Sequence, residues 1–378
     1  MKSSQSLLRE LIAIPSVNPA FLPRNDRRAG EKDMSDYLAA LGATSGLDVE
    51  LQKVAPKRFN VLLRLHPGGH PPNTIILAPH LDTVGEVTMP DSMFDPVKKG
   101  GTIHGRGACD TKGCVAAMAT ALMTLAKGKS RPKQTQIIFA GLIDEENAQL
   151  GSRALAASGL RAGLAVVGEP TRLKVVTAHK GDLWFQLETV GKMAHGSRPN
   201  LGRNAVHAMA RIVDLLETQY AQLLRERNHP LLGNPTVNVG TICGGTQPNI
   251  VPARCSISID RRTLPGETER GVKAEIRALL RQAGLSAEFS NIRTAFCSAL
   301  ETNPALPFVK RFLQSMGQRR GTGVDFFCDA AVLSSAGIPS IVFGPGDIAQ
   351  AHTADEWIAT ESLDQGTRML TRYLQSLP

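Results

Sequence analysis

The stretch TIILAPHLD, residues 74–82, passes directly from a run of apolar residues to two ionisable side chains. A short run of consecutive apolar residues is typical of a strand that is buried on both faces of a sheet. Strands of that kind belong to α/β domains, in which helices cover both faces of a parallel sheet. The stretch therefore predicts a buried strand, Thr74–Ala78, whose carboxyl end presents His80 and Asp82.

Further apolar runs of this kind lie on both sides of that strand along the chain. The predicted strands are Asn60–Leu65, Gln136–Leu142, Leu164–Val167 and Ile338–Phe343. Helical patterns, notably Cys114–Ala126 and Leu150–Ala157, separate several of them. Buried strands that alternate with helices favour an α/β fold with a doubly wound, mostly parallel sheet.

The part of the chain between residues 180 and 292 has a different pattern. Leu183, Phe185 and Leu187 alternate with polar neighbours, which is typical of a strand with one exposed face. Helical patterns at Arg203–Leu224 and Glu267–Ala283 complete a β-α-β-β-α order, as in a ferredoxin-like α+β domain. We therefore predict two domains, a discontinuous α/β domain at 1–179 and 293–378 and an inserted α+β domain at 180–292.

The composition excludes several classes of protein. Hydrophobic residues make up 42% of the 378 and charged residues 20%, which is ordinary for a globular chain and excludes a disordered one. The formal net charge is +9, but the basic residues are scattered and aromatic residues make up only 4%, so we expect no nucleic-acid partner. The apolar runs are shorter than the ~18 residues that a membrane span requires, so we expect no membrane partner either.

The cysteines and the first residues bear on the cellular compartment. The six cysteines are widely spaced, without a CxxC pair or the dense pattern of small disulfide-linked domains. Lys2, Arg9 and Glu10 lie within an amphipathic helical pattern, so this segment lacks the apolar core of a signal peptide. We therefore expect reduced thiols and a cytoplasmic protein.

Ionisable side chains follow four of the predicted strands at the point where each strand ends. They are His80, the pair Glu145 and Glu146, Glu169, and His352, while Asp110 stands just before the helix Cys114–Ala126. Because open α/β sheets bind ligands at the carboxyl ends of their strands, we expect these side chains to converge. Imidazoles and carboxylates without thiolates suit zinc, cobalt or manganese. The set is large enough for two ions, with Asp110 as the bridge and Asp82 accepting the ring N–H of His80.

Five short motifs resemble those of the M20 family of metallopeptidases and amidohydrolases. They are HLDTV (80–84), GRGACDTKG (105–113), DEE (144–146), GEPT (168–171) and AHT (351–353). The resemblance covers nearly the whole chain, and its motifs are specific in combination. It implies an enzyme with two zinc ions per subunit, for which cobalt or manganese can substitute.

The resemblance also assigns roles to the residues at the strand ends. One zinc ion would be held by His80, Asp110 and Glu169, and the other by Asp110, Glu146 and His352. Glu145 matches the general base of the family. Zinc lowers the pKa of a bound water molecule from ~15.7 to about 7, and Glu145 would carry the proton of that water to the leaving amine. From the adjacent positions of Glu145 and Glu146 in an extended segment, we predict that their side chains point to different sides.

The inserted domain carries three further motifs that resemble family segments. They are GKMAHGS (191–197), QPNIVP (247–252) and DRRTLPG (260–266). His195 matches a residue that reaches the scissile carbonyl, often from the partner subunit, where it can donate to the developing oxyanion. Asn249 and Arg262 match substrate-binding positions and can hold a carboxylate. Arg261 alternates to the opposite strand face, but alternation does not decide which of the two arginines has the role.

The sequence therefore predicts a zinc-dependent hydrolase that cleaves an amide bond in a small carboxylate-bearing substrate. The motifs are most similar to the acetylornithine deacetylase branch, so an N-acyl amino acid is the first expectation. A metallocarboxypeptidase or dipeptidase with the same site is an alternative, and a non-catalytic metal-binding scaffold is a third. We expect residues 180–292 to serve as a lid and to form a homodimer, because an exposed sheet edge there invites pairing.

Overall fold

The computed structural model of the protein describes residues 2–67, 73–128, 131–292 and 296–378. The chain divides into two units. The first consists of Met1–Thr177, Thr302–Thr322 and Cys328–Pro378, and the second of Ala178–Glu301 and Gly323–Phe327. The boundary that the sequence predicts at residue 293 lies outside the described residues. The roles of the two parts as catalytic domain and lid stay predictions.

The described residues form sixteen β-strands. In chain order they are β1 (Asp48–Ala55), β2 (Arg58–Leu65), β3 (Asn73–Pro79), β4 (Val97–Lys99), β5 (Thr102–His104), β6 (Thr135–Gly141), β7 (Leu164–Gly168), β8 (Val176–His179), β9 (Gly181–Val190), β10 (Thr236–Gly244), β11 (Arg254–Thr263), β12 (Glu288–Asn291), β13 (Leu300–Glu301), β14 (Thr322–Val324), β15 (Ser340–Val342) and β16 (Trp357–Ala359).

The same residues form ten α-helices. They are α1 (Ser4–Ile12), α2 (Lys32–Thr44), α3 (Lys112–Lys127), α4 (Leu150–Ala157), α5 (Ala205–Leu215), α6 (Ala221–Arg225), α7 (Glu269–Gln282), α8 (Pro307–Ser315), α9 (Ala330–Ser335) and α10 (Thr360–Gln375). A π-helical turn, Leu216–Tyr220, joins α5 to α6. Among the described helices, none combines the length and the apolar character that crossing a bilayer requires.

The large sheet of the first unit orders its strands β1-β2-β6-β3-β7-β15-β8. The four central strands, from β6 to β15, pair in parallel, and the pairs on either side are antiparallel. Strand β7 is buried along its whole length, as its continuous apolar sequence requires. The predicted α/β fold with a mostly parallel central sheet is confirmed, with antiparallel strands at its edges.

Helix α3 passes through the core of the first unit. Its sequence is rich in Ala, Leu and Met, which are strong helix formers. Residues from Lys112 to Met123 are all buried, as expected of a helix that is covered from every side. The helix packs against α1 and α10 and begins two residues after Asp110. Its packing therefore holds the end of the loop that presents Asp110.

The second unit contains a separate antiparallel sheet in the order β10-β11-β9-β12. The helices α5 and α6 follow β9 in the chain and α7 follows β11, which produces the ferredoxin-like order. Leu183, Phe185 and Leu187 of β9 face a core that includes Met209 of α5 and Ile276 of α7. The alternation in the sequence therefore predicted the buried face of β9 correctly.

Candidate metal centre

Three predicted metal ligands lie together at the carboxyl ends of β3 and β7. His80 and Glu169 directly follow Pro79 and Gly168, which are paired neighbours at the ends of these parallel strands. His80 Nε2 is therefore close to Glu169 Oε1, at 3.9 Å, and Asp110 Oδ1 lies 3.0 Å from the same nitrogen. All three side chains are buried. One ligand atom from each lies within 4.8 Å of the others.

A second group of predicted ligands shares Asp110 with the first. His352 Nε2 lies 3.2 Å from Glu146 Oε1 and 3.3 Å from Asp110 Oδ2. These three ligand atoms also lie within 4.8 Å of one another. Asp110 thus turns Oδ1 towards His80 and Oδ2 towards His352. Each oxygen of one carboxylate faces a different group, as a ligand bridging two metal ions requires.

Asp82 occupies a more central position than its predicted contact with His80 implies. The Nδ1 atom of His80 lies 2.9 Å from the backbone carbonyl oxygen of Asp82, whereas the Asp82 carboxylate is 3.5 Å away. The carboxylate instead accepts the backbone N–H groups of Glu145 and Glu146, at 3.0 and 3.1 Å. Asp82 therefore orients His80 mainly through its carbonyl and holds the segment of the candidate base through its carboxylate.

Glu145 and Glu146 lie in a turn, so the prediction of an extended segment was wrong. The turn begins at Asp144, whose φ of 68° places it in the left-handed region. The carbonyl oxygen of Asp144 accepts the N–H of Gln149 at 2.7 Å, which closes the turn. Apolar periodicity gives no warning of such a turn, because it arises from local backbone and side-chain hydrogen bonds.

Burial and crowding shift the proton affinities of the site. Burial raises the pKa of Glu145 well above its ordinary value, and repulsion from the Glu169 carboxylate adds to this rise. Burial likewise raises the pKa of Glu169, although attraction to His80 opposes the rise. Hydrogen bonds with Asp110 and Glu146 raise the pKa of His352 to about 10. The clustered carboxylates thus favour any positive charge placed among them.

This electrostatic environment and these ligand types fit divalent metal ions. Imidazole nitrogens and carboxylate oxygens together are a common ligand set of zinc and its neighbours in the first transition row. Each group supplies three protein ligands, which is the number that catalytic zinc sites use while leaving a position open. The residues present can therefore hold two ions, one in each group, with Asp110 between them.

Glu356, which the sequence did not single out, supports the loop that carries Asp110. The residue is 1% exposed, and its Oε1 accepts the backbone N–H groups of Cys109 and Asp110, both at 2.9 Å. Its Oε2 accepts the N–H of Gly107 and the guanidinium of Arg106, also at 2.9 Å. Most of these partners are backbone groups about 250 positions away, so no sequence pattern distinguishes Glu356 from a surface glutamate.

The predicted lid residues belong to the second unit, where His195 and Asn249 lie on adjacent segments. The Gly196 N–H donates to the Asn249 carbonyl at 2.7 Å, and a β-bridge joins His195 to Ile250. The His195 ring is exposed, with Nδ1 2.8 Å from the Ser197 hydroxyl oxygen. The structure thus brings together two of the three motifs of this unit, and leaves an imidazole at their surface.

The structure separates the roles of Arg261 and Arg262, which the sequence left open. Arg261 is fully buried and donates to Glu267 at 2.7 Å and to the Tyr220 hydroxyl at 3.2 Å, so it serves the packing of the unit. Arg262 keeps 27% of its side chain exposed, although it also pairs with Asp260 at 2.9 Å and with Asp182 at 3.7 Å. Arg262 is therefore the arginine of this pair that a ligand can reach.

An α/β fold that gathers two imidazoles and several carboxylates into two groups sharing one aspartate defines a metal-dependent hydrolase. The sequence matches the profile of peptidase family M20/M25/M40 over residues 76–376. The chain belongs to this family. It is accordingly an enzyme that hydrolyses C–N amide bonds, as the sequence predicted.

Individual relatives extend the match over nearly the whole chain. An acetylornithine deacetylase of Edwardsiella ictaluri is 31% identical, over 98% of this chain and 96% of the relative. The crystal structure of aminopeptidase PepT from Bacillus cereus has a TM-score of 0.78 at 20% identity, covering 98% of this chain and 97% of that one. The structure of Bacillus subtilis YXEP, a dinuclear metal-binding peptidase of the M20 family, has a TM-score of 0.70 at 14% identity, covering 98% and 96%.

Proposed function

We propose that the protein is a zinc-dependent deacylase of small N-acyl amino acids, similar to acetylornithine deacetylases. The observation that carries the proposal is the pair of ligand groups joined through Asp110, which provides for two ions beside the buried carboxylate of Glu145. The similarity to an acetylornithine deacetylase over 98% of the chain supports the choice of an N-acyl amino acid. The B. subtilis peptidase described as dinuclear supports two ions rather than one.

The proposed reaction divides the chemistry between the metal ions and the side chains. Zinc, when bound, lowers the pKa of the attacking water and polarises the scissile carbonyl. Glu145 takes a proton from that water and passes it to the departing amine nitrogen, which leaves as a neutral amine. Asp82 holds the backbone of Glu145 in place during both transfers. His195 donates a hydrogen bond to the oxyanion that develops on the carbonyl oxygen.

Recognition of a free carboxylate on the substrate is assigned to Arg262 and Asn249. A guanidinium binds a carboxylate through two parallel hydrogen bonds, and losing such a contact from a desolvated pocket costs about 2–4 kcal/mol. We therefore expect an N-acetyl amino acid to be hydrolysed roughly 30- to 1000-fold faster, in kcat/KM, than the same compound with an amidated carboxylate. The pair of substrates is compared in one steady-state assay.

The Arg262→Ala variant should remove most of that preference while its metal content stays unchanged. Arg254→Ala is the matched control, because Arg254 lies on the same strand and pairs with Glu188 while remaining 70% exposed. Equal rates for the acid and the amide in the unmodified enzyme would contradict the recognition of a carboxylate and would indicate a site that recognises a free amine instead.

We further propose that the enzyme is a homodimer formed through the second unit. Strand β10 is at the edge of the described sheet of this unit, and most of its residues are exposed. Two apolar side chains, Ile242 on this strand and Met193 beside it, are 59 and 61% exposed. An open edge with exposed apolar side chains favours pairing with a second copy of the chain.

In such a dimer His195 would act on the metal site of the partner subunit. A heterodimer of one His195→Ala chain and one Glu145→Gln chain then contains one site with an intact base and an intact histidine. We expect it to recover close to half of the activity of the unmodified dimer, whereas each variant homodimer stays inactive. Verified heterodimers without recovery would place His195 in its own subunit or outside catalysis.

A substrate panel separates the proposal from the metallocarboxypeptidase or dipeptidase alternative. N-acetyl amino acids, N-succinyl amino acids and dipeptides present the same scissile amide but differ in the group on its acyl side. Preferred cleavage of N-acetyl compounds supports the deacylase, and preferred cleavage of dipeptides supports the alternative. The panel is run with zinc, cobalt and manganese in turn, because the ligand set admits all three.

A further inference from the structure

We propose that Asn18 is a positioning residue for the turn that carries the candidate base. The inference rests on the proposed function in one respect, namely that Glu145 is the base. Asn18 lies in the N-terminal segment, outside the matched family region that begins at residue 76. The motifs at the strand ends do not include it.

The side chain of Asn18 joins two buried carboxylates. It is 0% exposed, and its Nδ2 lies 2.7 Å from Asp82 Oδ2 and 3.0 Å from Asp144 Oδ1. Its Oδ1 accepts the N–H of Ala20 at 3.0 Å, which leaves the NH₂ group facing both carboxylates. An amide NH₂ group has two hydrogens, so Asn18 can donate one to each carboxylate.

Both of these carboxylates hold the turn of the base. Asp82 accepts the N–H groups of Glu145 and Glu146 through its two oxygens. Asp144 is the first residue of the turn, and its Oδ2 accepts the N–H of Ala148 at 3.2 Å. Asn18 therefore links Asp82, which accepts the backbone N–H groups of the turn, to Asp144, which begins the turn. It constrains the turn although it is not part of it.

The charges around Asn18 explain why a neutral donor stands here. Arg58 donates to Asp144 Oδ1 at 2.9 Å and also pairs with Glu31, so one guanidinium serves two carboxylates and the group stays negative. Asp82 Oδ1 has the imidazole of His80 3.5 Å away. Two close carboxylates repel each other unless a donor lies between them. The amide of Asn18 supplies that donor without adding a charge to the site.

The backbone fixes Asn18 beside Asp82. The N–H of Asn18 donates to the carbonyl of Thr83 at 2.9 Å, and the N–H of Thr83 donates to the carbonyl of Ser16 at 3.0 Å. A short parallel bridge therefore binds the N-terminal segment to the residue that follows Asp82. This anchoring limits how far Asn18 can move, which allows it to hold the turn rigidly.

The test replaces Asn18 by serine. Serine keeps an acceptor for the N–H of Ala20 but is too short to bridge the two carboxylates. With Asn18→Ser we expect kcat to fall by about 10- to 100-fold with KM changed less than about twofold, because small displacements of a catalytic group cost rates of this order. The affinity for the second equivalent of zinc, measured by calorimetry, should fall about tenfold, since the same turn carries Glu146.

Asn303→Ser is the matched control. The Oδ1 of Asn303 accepts the N–H of Ala305 at 2.9 Å, in the same turn geometry as Asn18, but among the described residues its amide has no carboxylate partner. We expect this variant to keep the kcat and the zinc affinity of the unmodified enzyme. The difference between the two sites then isolates the contacts to Asp82 and Asp144.

A double-mutant cycle with Glu145→Gln separates positioning from a general loss of structure. If Asn18 acts through Glu145, Asn18→Ser lowers the residual rate of Glu145→Gln by less than about twofold at saturating zinc. The inference would be overturned if Asn18→Ser lowered the rate of Glu145→Gln as much as it lowers the rate of the unmodified enzyme. It would also be overturned if folded Asn18→Ser kept the kcat and the zinc affinity of the unmodified enzyme. The double-mutant cycle can be measured with any amide that the protein hydrolyses. It therefore remains a valid test if the protein is not a deacylase.

Discussion

Replacing Glu145 by glutamine is expected to lower kcat by about 10²- to 10⁴-fold while both metal ions stay bound. Glutamine has the size of glutamate but cannot accept a proton from water at neutral pH. The backbone contact of Glu145 with Asp82 does not involve the altered group, so the turn should keep its geometry. Steady-state kinetics and metal analysis of the same preparation measure the two effects together.

The control for this variant is Glu361→Gln, in which the same substitution is made at an exposed position on α10. It should leave both the rate and the metal content unchanged. If Glu145→Gln retained more than about a tenth of the activity with a full complement of metal, the assignment of Glu145 as general base would be wrong.

Replacing Asp110 by alanine should remove both metal ions and abolish activity. Asp110 belongs to both ligand groups, whereas His80 and His352 each belong to one. We therefore expect metal analysis to find neither ion in Asp110→Ala. It should find about one ion in His80→Ala or His352→Ala, because each of these variants keeps all three ligands of the other group. The three variants form an internal series with different expected stoichiometries.

One result of these metal analyses would contradict the shared role of Asp110. An Asp110→Ala protein that binds two ions as tightly as the unmodified chain would show that Asp110 is not a shared ligand. Thermal unfolding of each variant in the presence of a chelator provides the control for folding, because it compares the chains without any contribution from bound metal.

The sequence predicted the central strands and the candidate ligands because both depend on strong local signals. Buried strands of a parallel sheet appear as continuous apolar runs, and their ends are where the first polar residues follow. His80 and Glu169 could therefore be placed together from the amino-acid sequence alone. Strand β1, by contrast, lies at the edge of the sheet with half of its residues exposed, so its sequence carries no such run.

Other features depend on contacts between distant parts of the chain, which periodicity does not report. Glu356 and Asn18 act through hydrogen bonds to residues far away in sequence, and each resembles an ordinary polar residue where it stands. The choice between Arg261 and Arg262 required the actual burial of both side chains. The turn at Asp144 required its own hydrogen bonds, which no apolar pattern encodes.

The most direct test of the central claim measures the release of acetate from N-acetyl amino acids by metal-depleted protein titrated with zinc. We expect negligible activity without metal, a rise that is complete at two equivalents of zinc per chain, and weak cleavage of dipeptides under the same conditions. A protein that binds two zinc ions, cleaves dipeptides and releases no acetate from any N-acetyl amino acid would contradict the proposed function.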